Sequence, residues 1–280
     1  MKVVLFCGGL GIRLRDYSDQ IPKPMVSIGY RPILWNIMKY YASFGHKDFI
    51  LCLGYKADVI KNYFINYDET ISNNFVYSNG GRNIKLLNSD IDDWKITFID
   101  TGLNANIGMR LMQVKDYLKG EKMFLANYSD GLTDLHLPAM IDWFETKKDQ
   151  TAAFMAYQPT QSFHIVQRED NGMVDKISHI GSSGLHINAG YFIFRNDIFD
   201  YMEYGDELVD QPFNRLIEKN KLISWEHKGF WASMDTFKDK TNLDDIYARG
   251  NVPWEVWTKM KKQEKKKPTR KKILIDHAAI

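Results

Sequence analysis

Residues Val3-Val4-Leu5-Phe6 are apolar without alternation, the pattern of a strand buried on both faces. The run stops at Cys7-Gly8-Gly9-Leu10-Gly11, and Arg13 follows two residues after the last glycine. Glycines there let backbone N–H groups close on an anion, and a helix starting just beyond would add its positive end. Ile21-Pro22-Lys23-Pro24-Met25 closes the segment, so Arg13 and Lys23 supply fixed positive charge nearby. A strand ending in such a loop opens an α/β domain, and the loop reads as a polyphosphate cradle.

Two well-known phosphate loops do not account for it. A Walker A loop ends in Gly-Lys-Ser/Thr, and Gly11-Ile12-Arg13 does not supply that ending. A dinucleotide fingerprint needs a third glycine where Leu14 sits and an acid closing the second strand. That strand ends Cys52-Leu53-Gly54-Tyr55. A glycine turn without a ligand is the remaining alternative, and Arg13 with Lys23-Pro24 argues against it.

Further along, apolar runs predict strands at 48–53, 95–100, 122–128, 151–157, 187–194 and 223–227. Helical spacing predicts helices over 31–45, 57–67, 109–118, 138–146, 211–219 and 236–249. Strand and helix alternating in this way specify a mostly parallel sheet flanked by helices. Residues 68–93 are polar and Asn-rich and read as an excursion, while 158–183 reads as a smaller β-rich segment. One domain over 1–257 is expected, followed by a basic tail over 258–280 that reads as solvated. Cys7 and Cys52 both fall in buried strands, which suits reduced thiols and a cytoplasmic setting. No apolar run approaches the ~18 residues of a membrane span. A net charge of +2 argues neither for nor against nucleic acid, and no nucleic-acid partner is expected.

Four features converge on one end of such a sheet: the glycine loop, Arg13 with Lys23, Asp130 and Asp235. Asp130 follows the 122–128 strand in Ser129-Asp130-Gly131, where α/β ligands bind. Two carboxylates beside a triphosphate suit Mg²⁺, which takes one or two protein carboxylates plus phosphate oxygens. The sequence offers no protein nucleophile: no Gly-x-Ser-x-Gly, no cysteine beside a base, and no His pair at zinc spacing. Cations and metal without a nucleophile fit phosphoryl or nucleotidyl transfer, in which the substrate's own phosphate attacks.

Gly8-Gly9-Leu10-Gly11-Ile12-Arg13-Leu14 with Lys23-Pro24-Met25 resembles the signature of the sugar-1-phosphate nucleotidylyltransferases. The segments 31–39, 54–61, Asp100-Thr101-Gly102, Arg110-Leu111, 230–236 and 253–257 narrow the likeness to the glucose-1-phosphate cytidylyltransferases. The resemblance implies a Rossmann-like fold, CTP as donor, Mg²⁺, pyrophosphate release, a CDP-sugar product and a homo-oligomer. The 68–93 excursion is a candidate contact surface for that oligomer.

The resemblance also implies roles. Gly8, Gly9, Gly11 and Arg13 would hold the triphosphate, with Ile12 and Ser129 in the same nucleotide-side set. Lys23 would meet the phosphates at the reacting centre, and Asp130 and Asp235 would hold the metal. Arg110 would help bind the nucleotide, while Asn188 and Trp231 would face the sugar. The chain departs from the family pattern at Ile12 (usually Thr), Ser129 (usually Gly) and Ile107-Gly108-Met109. On the acceptor side, His179 replaces the lysine that grips the sugar phosphate, and Phe163-His164 replaces an aromatic-Gly pair. Another phosphate acceptor, another nucleoside triphosphate, or a non-catalytic nucleotide-binding regulator are the alternatives these departures raise.

Overall fold

The computed structural model describes residues 1–9, 21–160 and 163–260. The loop residues Gly11, Ile12 and Arg13, and the tail from 261 onward, lie outside the described residues.

Six of the seven strands of the main sheet run parallel. They are β1 (Lys2–Phe6), β4 (Asp48–Leu53), β7 (Lys95–Asp100), β8 (Met123–Asn127), β10 (Ala152–Tyr157) and β14 (Leu222–His227). The seventh, β13 (Ile187–Arg195), is antiparallel between β8 and β10. The spatial order is β14-β10-β13-β8-β1-β4-β7. Val3 to Phe6 are all buried, as an unbroken apolar run in a two-sided sheet requires.

Helices cover both faces. On one side lie α1 (Ile33–Ser43), α2 (Ala57–Ile65), α4 (Leu137–Thr146) and α6 (Phe237–Ala248), packed on Val3, Leu5 and Leu51. On the other lie α3 (Ile107–Gln113) and α5 (Gln211–Glu218), packed on Val4, Phe6 and Ile50. Each strand thus sends alternate side chains into two separate cores. The α/β class and the strand positions match the sequence expectation. The segment expected as a helix over 109–118 divides into α3 and a 3₁₀ turn, Lys115–Leu118.

The chain leaves β1 outward through β4 to β7, then returns to place β8 on the opposite side of β1. The order therefore reverses between β1 and β8, and the crevice beyond their carboxyl ends is where such sheets hold ligands. Gly8 and Asp130 leave from these two strands.

Among the described residues, four two-stranded ribbons stand outside the main sheet. β2 (Ser27–Ile28) with β3 (Arg31–Pro32) follows Lys23. β5 (Phe75–Ser78) with β6 (Asn83–Leu86) occupies the polar excursion. β9 (Gly131–Thr133) pairs with β15 (Trp231–Ser233). β11 (His164–Arg168) with β12 (Val174–His179) accounts for the β-rich segment at 158–183.

Candidate active site

Lys23 sits on a 3₁₀ turn, Lys23–Met25, held between Pro22 and the buried Pro24 and Met25. Proline fixes the backbone on either side, so the side chain leaves in a set direction. Its Nζ lies 2.7 Å from Asp130 Oδ2 and 2.8 Å from Asp235 Oδ1. Burial alone would lower the Lys23 pKa, but Asp130 and Asp235 outweigh it and hold the ammonium above its ordinary value.

The two acids meet for a topological reason. Strand β8 delivers Asp130, and β9 starts immediately after it. Gly131 pairs with Ser233 across the β9–β15 ladder, and the Met234 N–H donates to the Asp130 carbonyl at 2.8 Å. Asp235 is the next residue, and Thr236 caps α6 through a reciprocal box with Asp239. The Asp239 carboxylate also accepts from the Asp235 N–H at 3.2 Å. A short ladder and a helix cap thus place two carboxylates that are distant in sequence beside one ammonium.

Ser129 is fully buried with φ at +65°, a conformation that costs a non-glycine residue about 1 kcal/mol or more. Its N–H donates to Asn127 Oδ1 at 2.7 Å, and its hydroxyl accepts from the Cys7 thiol at 3.4 Å. These contacts hold the left-handed turn that swings Asp130 toward Lys23. Burial pushes the thiol of Cys7 up to about 12 and that of Cys52 higher still, so both stay protonated core groups.

Arg110 is buried beneath Gly8. Its guanidinium donates to the carbonyls of Leu53 (3.0 Å), Gly8 (3.1 Å) and Leu103 (3.5 Å) and to Thr101 Oγ1 (2.6 Å). It therefore ties together the carboxyl ends of β1, β4 and β7. A Cβ on Gly8 would come within 2.0 Å of that guanidinium, so this glycine is required by Arg110 packed below it. Around Gly9, by contrast, no heavy atom of the described residues lies within 4 Å of such a Cβ.

Among the residues the resemblance assigned to the sugar, Trp231 Nε1 donates to the Ala189 carbonyl at 3.0 Å and its ring lies 5.2 Å from Tyr157. Asn188 Oδ1 accepts from the Gly190 N–H at 2.9 Å, and its amide donates to the Tyr128 hydroxyl at 3.3 Å. His179 is exposed on β12 directly opposite His164, with perpendicular rings 5.5 Å apart. Its Nδ1 accepts from the Gly181 N–H at 3.1 Å. Lys23, Asp130 and Asp235 are brought together, and Ser129, Gly8 and Arg110 surround the loop bases. His179 stands on a separate ribbon.

Three residues of this region carried no signal in the sequence. Tyr128 supports Asn188, as above. Asp134 Oδ1 accepts from the Phe230 N–H at 2.7 Å and lies 3.1 Å from His227 Nε2. This pair fixes the entry into β15. Only knowledge of the β9–β15 pairing would have singled it out.

The sequence of residues 2–237 matches the Nucleotidyl transferase family. The chain is also 36% identical, over 92% of its length, to the whole glucose-1-phosphate cytidylyltransferase of Salmonella typhi. It belongs to the nucleotidyl transferase family. Within it, the chain is one of the sugar-1-phosphate nucleotidylyltransferases. A mannose-1-phosphate guanyltransferase of Yarrowia lipolytica is 22% identical, covering 85% of this chain and 62% of its own. Two solved structures share the fold. HddC from Yersinia pseudotuberculosis has a TM-score of 0.62 at 22% identity, covering 88% of this chain and 99% of that one. A UDP-glucose pyrophosphorylase complexed with UDP-glucose has a TM-score of 0.64 at 13% identity, covering 89% and 98%.

In a nucleotidyl transferase the described residues suit a hard divalent cation. Asp130 and Asp235 offer carboxylate oxygens to one positive group, and the two side chains remain 27% and 29% exposed, open to solvent or substrate oxygens. No helix among the described residues is long and apolar enough to cross a membrane.

Proposed function

We propose that this transferase moves CMP from CTP to glucose 1-phosphate, releasing pyrophosphate and forming CDP-glucose with Mg²⁺. The observation that carries the reading is one ammonium, Lys23 Nζ, held between two carboxylates at the β1–β8 switch point. The activity of the Salmonella relatives, glucose-1-phosphate cytidylyltransferases each 36% identical over its whole length, supports the choice of base and sugar. It gives no favour to a different acceptor or to a non-catalytic regulator.

Asp130 and Asp235 would hold the metal, which when bound neutralises phosphate charge and orients the α-phosphate for in-line attack. Lys23 would then turn from the carboxylates to the phosphate oxygens, where its charge stabilises the transition state. Gly8 and Gly9 would present backbone N–H groups to the triphosphate, with Gly11, Ile12 and Arg13 completing the loop. Arg110 would act from beneath, holding Gly8 in position. Asn188, Trp231 and His179 would face the sugar phosphate, whose own oxygen is the nucleophile.

The test is direct. The full chain is incubated with CTP, glucose 1-phosphate and MgCl₂, and pyrophosphate and CDP-glucose are measured. UTP, dTTP, GTP and mannose 1-phosphate serve as competitors. Turnover that stops with EDTA is expected, and Asp130→Asn or Asp235→Asn should lower kcat by about 10³-fold or more. No pyrophosphate from any triphosphate and phosphate pair would refute the reading.

A further inference from the structure

A trough runs past Trp257, where the last described residues of the chain lie beside α1. Its two halves, of about 270 Å³ and 310 Å³, share Lys39, Asp90 and Trp257. One half is walled further by Asp92, Trp94 and Met260, the other by Tyr30, Tyr247 and Glu255. Each half sits near the lower limit of small-molecule clefts, ~300 Å³. A stretch of chain spanning both suits the shape better than one compact molecule.

The walls are aromatic. Trp257 meets Trp35 edge-on at 6.1 Å, Trp35 lies 6.5 Å from Trp94, and Tyr30 meets Tyr247 at 6.2 Å. Lys39 already uses such walls: its Nζ stands 5.7 Å from the centre of the Trp35 ring and 5.9 Å from that of Trp94. Aromatic faces attract ammonium groups, and the apolar stems of lysines lie well along them.

The charges give the sign of what fits. Arg31 and Lys39 each lie 3.6 Å from Asp90, and Lys47 pairs with Asp93. Asp92 and Glu255 also face the trough, and neither has a hydrogen-bonded or ionic partner for its carboxylate among the described residues. Three cations thus meet four acids. Glu255 is half-buried and its pKa is raised by burial, so a cation brought to it is favoured. The chain itself carries such cations next to the trough. Met260 lines one end, and the sequence continues Lys261-Lys262-Gln263-Glu264-Lys265-Lys266-Lys267. Residues 261–280 carry eight Lys or Arg against two acids, whereas residues 1–260 carry 29 against 33. This segment lies outside the described residues and beyond 253–257, where the family likeness ends. Glu255 stands five residues before Met260, hence at most ~17 Å from it, and Lys265 to Lys267 reach as far in the other direction of the chain.

We propose that the trough beside α1 is the docking surface for the basic segment 261–272 of the same chain. Lysine stems lie on Trp94 and Trp257, and their ammonium groups meet Asp92 and Glu255. This is independent of the substrate reading.

The full chain, as an equal mixture of unlabelled and nitrogen-15-labelled protein, is treated with a water-soluble carbodiimide, which joins carboxylates only to amines in contact with them. Mass spectrometry should find lysines of 261–272 joined to Asp92 and Glu255 within single chains. The yield should fall about 5-fold or more in ~1 M NaCl, which screens exposed charges. Limited trypsin digestion is the second readout. Glu255→Gln with Asp92→Asn should speed cleavage within 261–272 about 5-fold or more. Glu169→Gln with Asp170→Asn makes the same charge change on the β11–β12 turn and should leave cleavage within about 2-fold. If the first variant does not fold, the wild-type cross-links decide alone. Joining of these lysines only to other carboxylates would overturn the proposal, as would joining only between chains, which puts the segment on a second copy. Equal cleavage of the wild type and Glu255→Gln/Asp92→Asn, the behaviour of an undocked segment, would overturn it too.

Discussion

Ser129 and Arg110 show how single residues set the geometry of the site. Ser129 holds a left-handed backbone that glycine would adopt freely. Ser129→Gly removes that strain but gives up the Cys7 contact, so the net gain is expected to be small, about 0.5–1 kcal/mol by urea unfolding. Ser129→Val keeps the strain, adds branching in a fully buried position and should lose about 2 kcal/mol or more. Arg110 has no carboxylate partner among the described residues and instead satisfies four oxygens. Arg110→Met would leave those oxygens without their donors, at about 1–3 kcal/mol for each that water cannot reach. If Arg110 positions Gly8, kcat in Arg110→Met should fall more than affinity for CTP changes. Fluorescence titration of CTP beside steady-state rates separates the two. An effect confined to KM would mean that Arg110 contacts the nucleotide itself.

Among the elements, the β9–β15 ladder decides the site, because it brings the backbone of Asp130 beside that of Asp235. His227 and Asp134 anchor its entry, and the Thr133 hydroxyl donates to the Phe230 carbonyl at 2.8 Å. His227→Phe preserves bulk and removes the hydrogen bonds. It should lower kcat about 10-fold and raise the Mg²⁺ concentration needed for half-maximal rate, with the melting temperature little changed. A rate loss with no shift in Mg²⁺ dependence would separate this ladder from the metal carboxylates. The same ladder shows what the sequence could convey. The main strands were legible because Val3–Phe6, Asp48–Leu53 and Met123–Asn127 are apolar runs bounded by glycine or polar residues. Gly131–Thr133 and Trp231–Ser233 are three residues each, too short for periodicity, so their pairing was invisible. Asp130 and Asp235 were legible as acids beside glycine and aromatic motifs, but their meeting was not. The excursion at 68–93 was read as polar because Asn, Ser and Asp dominate it, and the apolar residues of β5 and β6 come in runs too short to predict strands. Gly8 was legible as a loop glycine, although its reason, Arg110 beneath it, was not.

At the scale of the whole molecule, the end of the sheet opposite the site governs behaviour in acid. His46 precedes β4 and its Nδ1 lies 3.3 Å from the Met1 nitrogen. Burial, helped by the Met1 ammonium, lowers its pKa to about 4, whereas an unfolded chain keeps the ordinary ~6.5. Between those values the unfolded chain binds a proton that the folded one refuses, so stability falls as pH drops from ~6.5 toward ~4. Asp134 loses stability in the same direction but lower: burial pushes its pKa up, yet His227 and the Phe230 N–H hold it below the usual value. Its contribution is present above the unfolded carboxylate pKa near ~4 and disappears below it. His46 therefore acts on the upper part of the acid limb, and Asp134 acts on the lower part together with Asp68, Asp116 and Asp206, which are also held below the usual carboxylate value. His46→Gln should flatten the upper part, keeping about 1 kcal/mol more stability between pH 7 and 5 than the wild type retains, after allowance for solvent screening. The lower part, below pH ~4, should fall as steeply as before. Urea midpoints at pH 7, 6, 5 and 4 distinguish the cases, and parallel curves for the two proteins would mean that His46 is not the group that titrates.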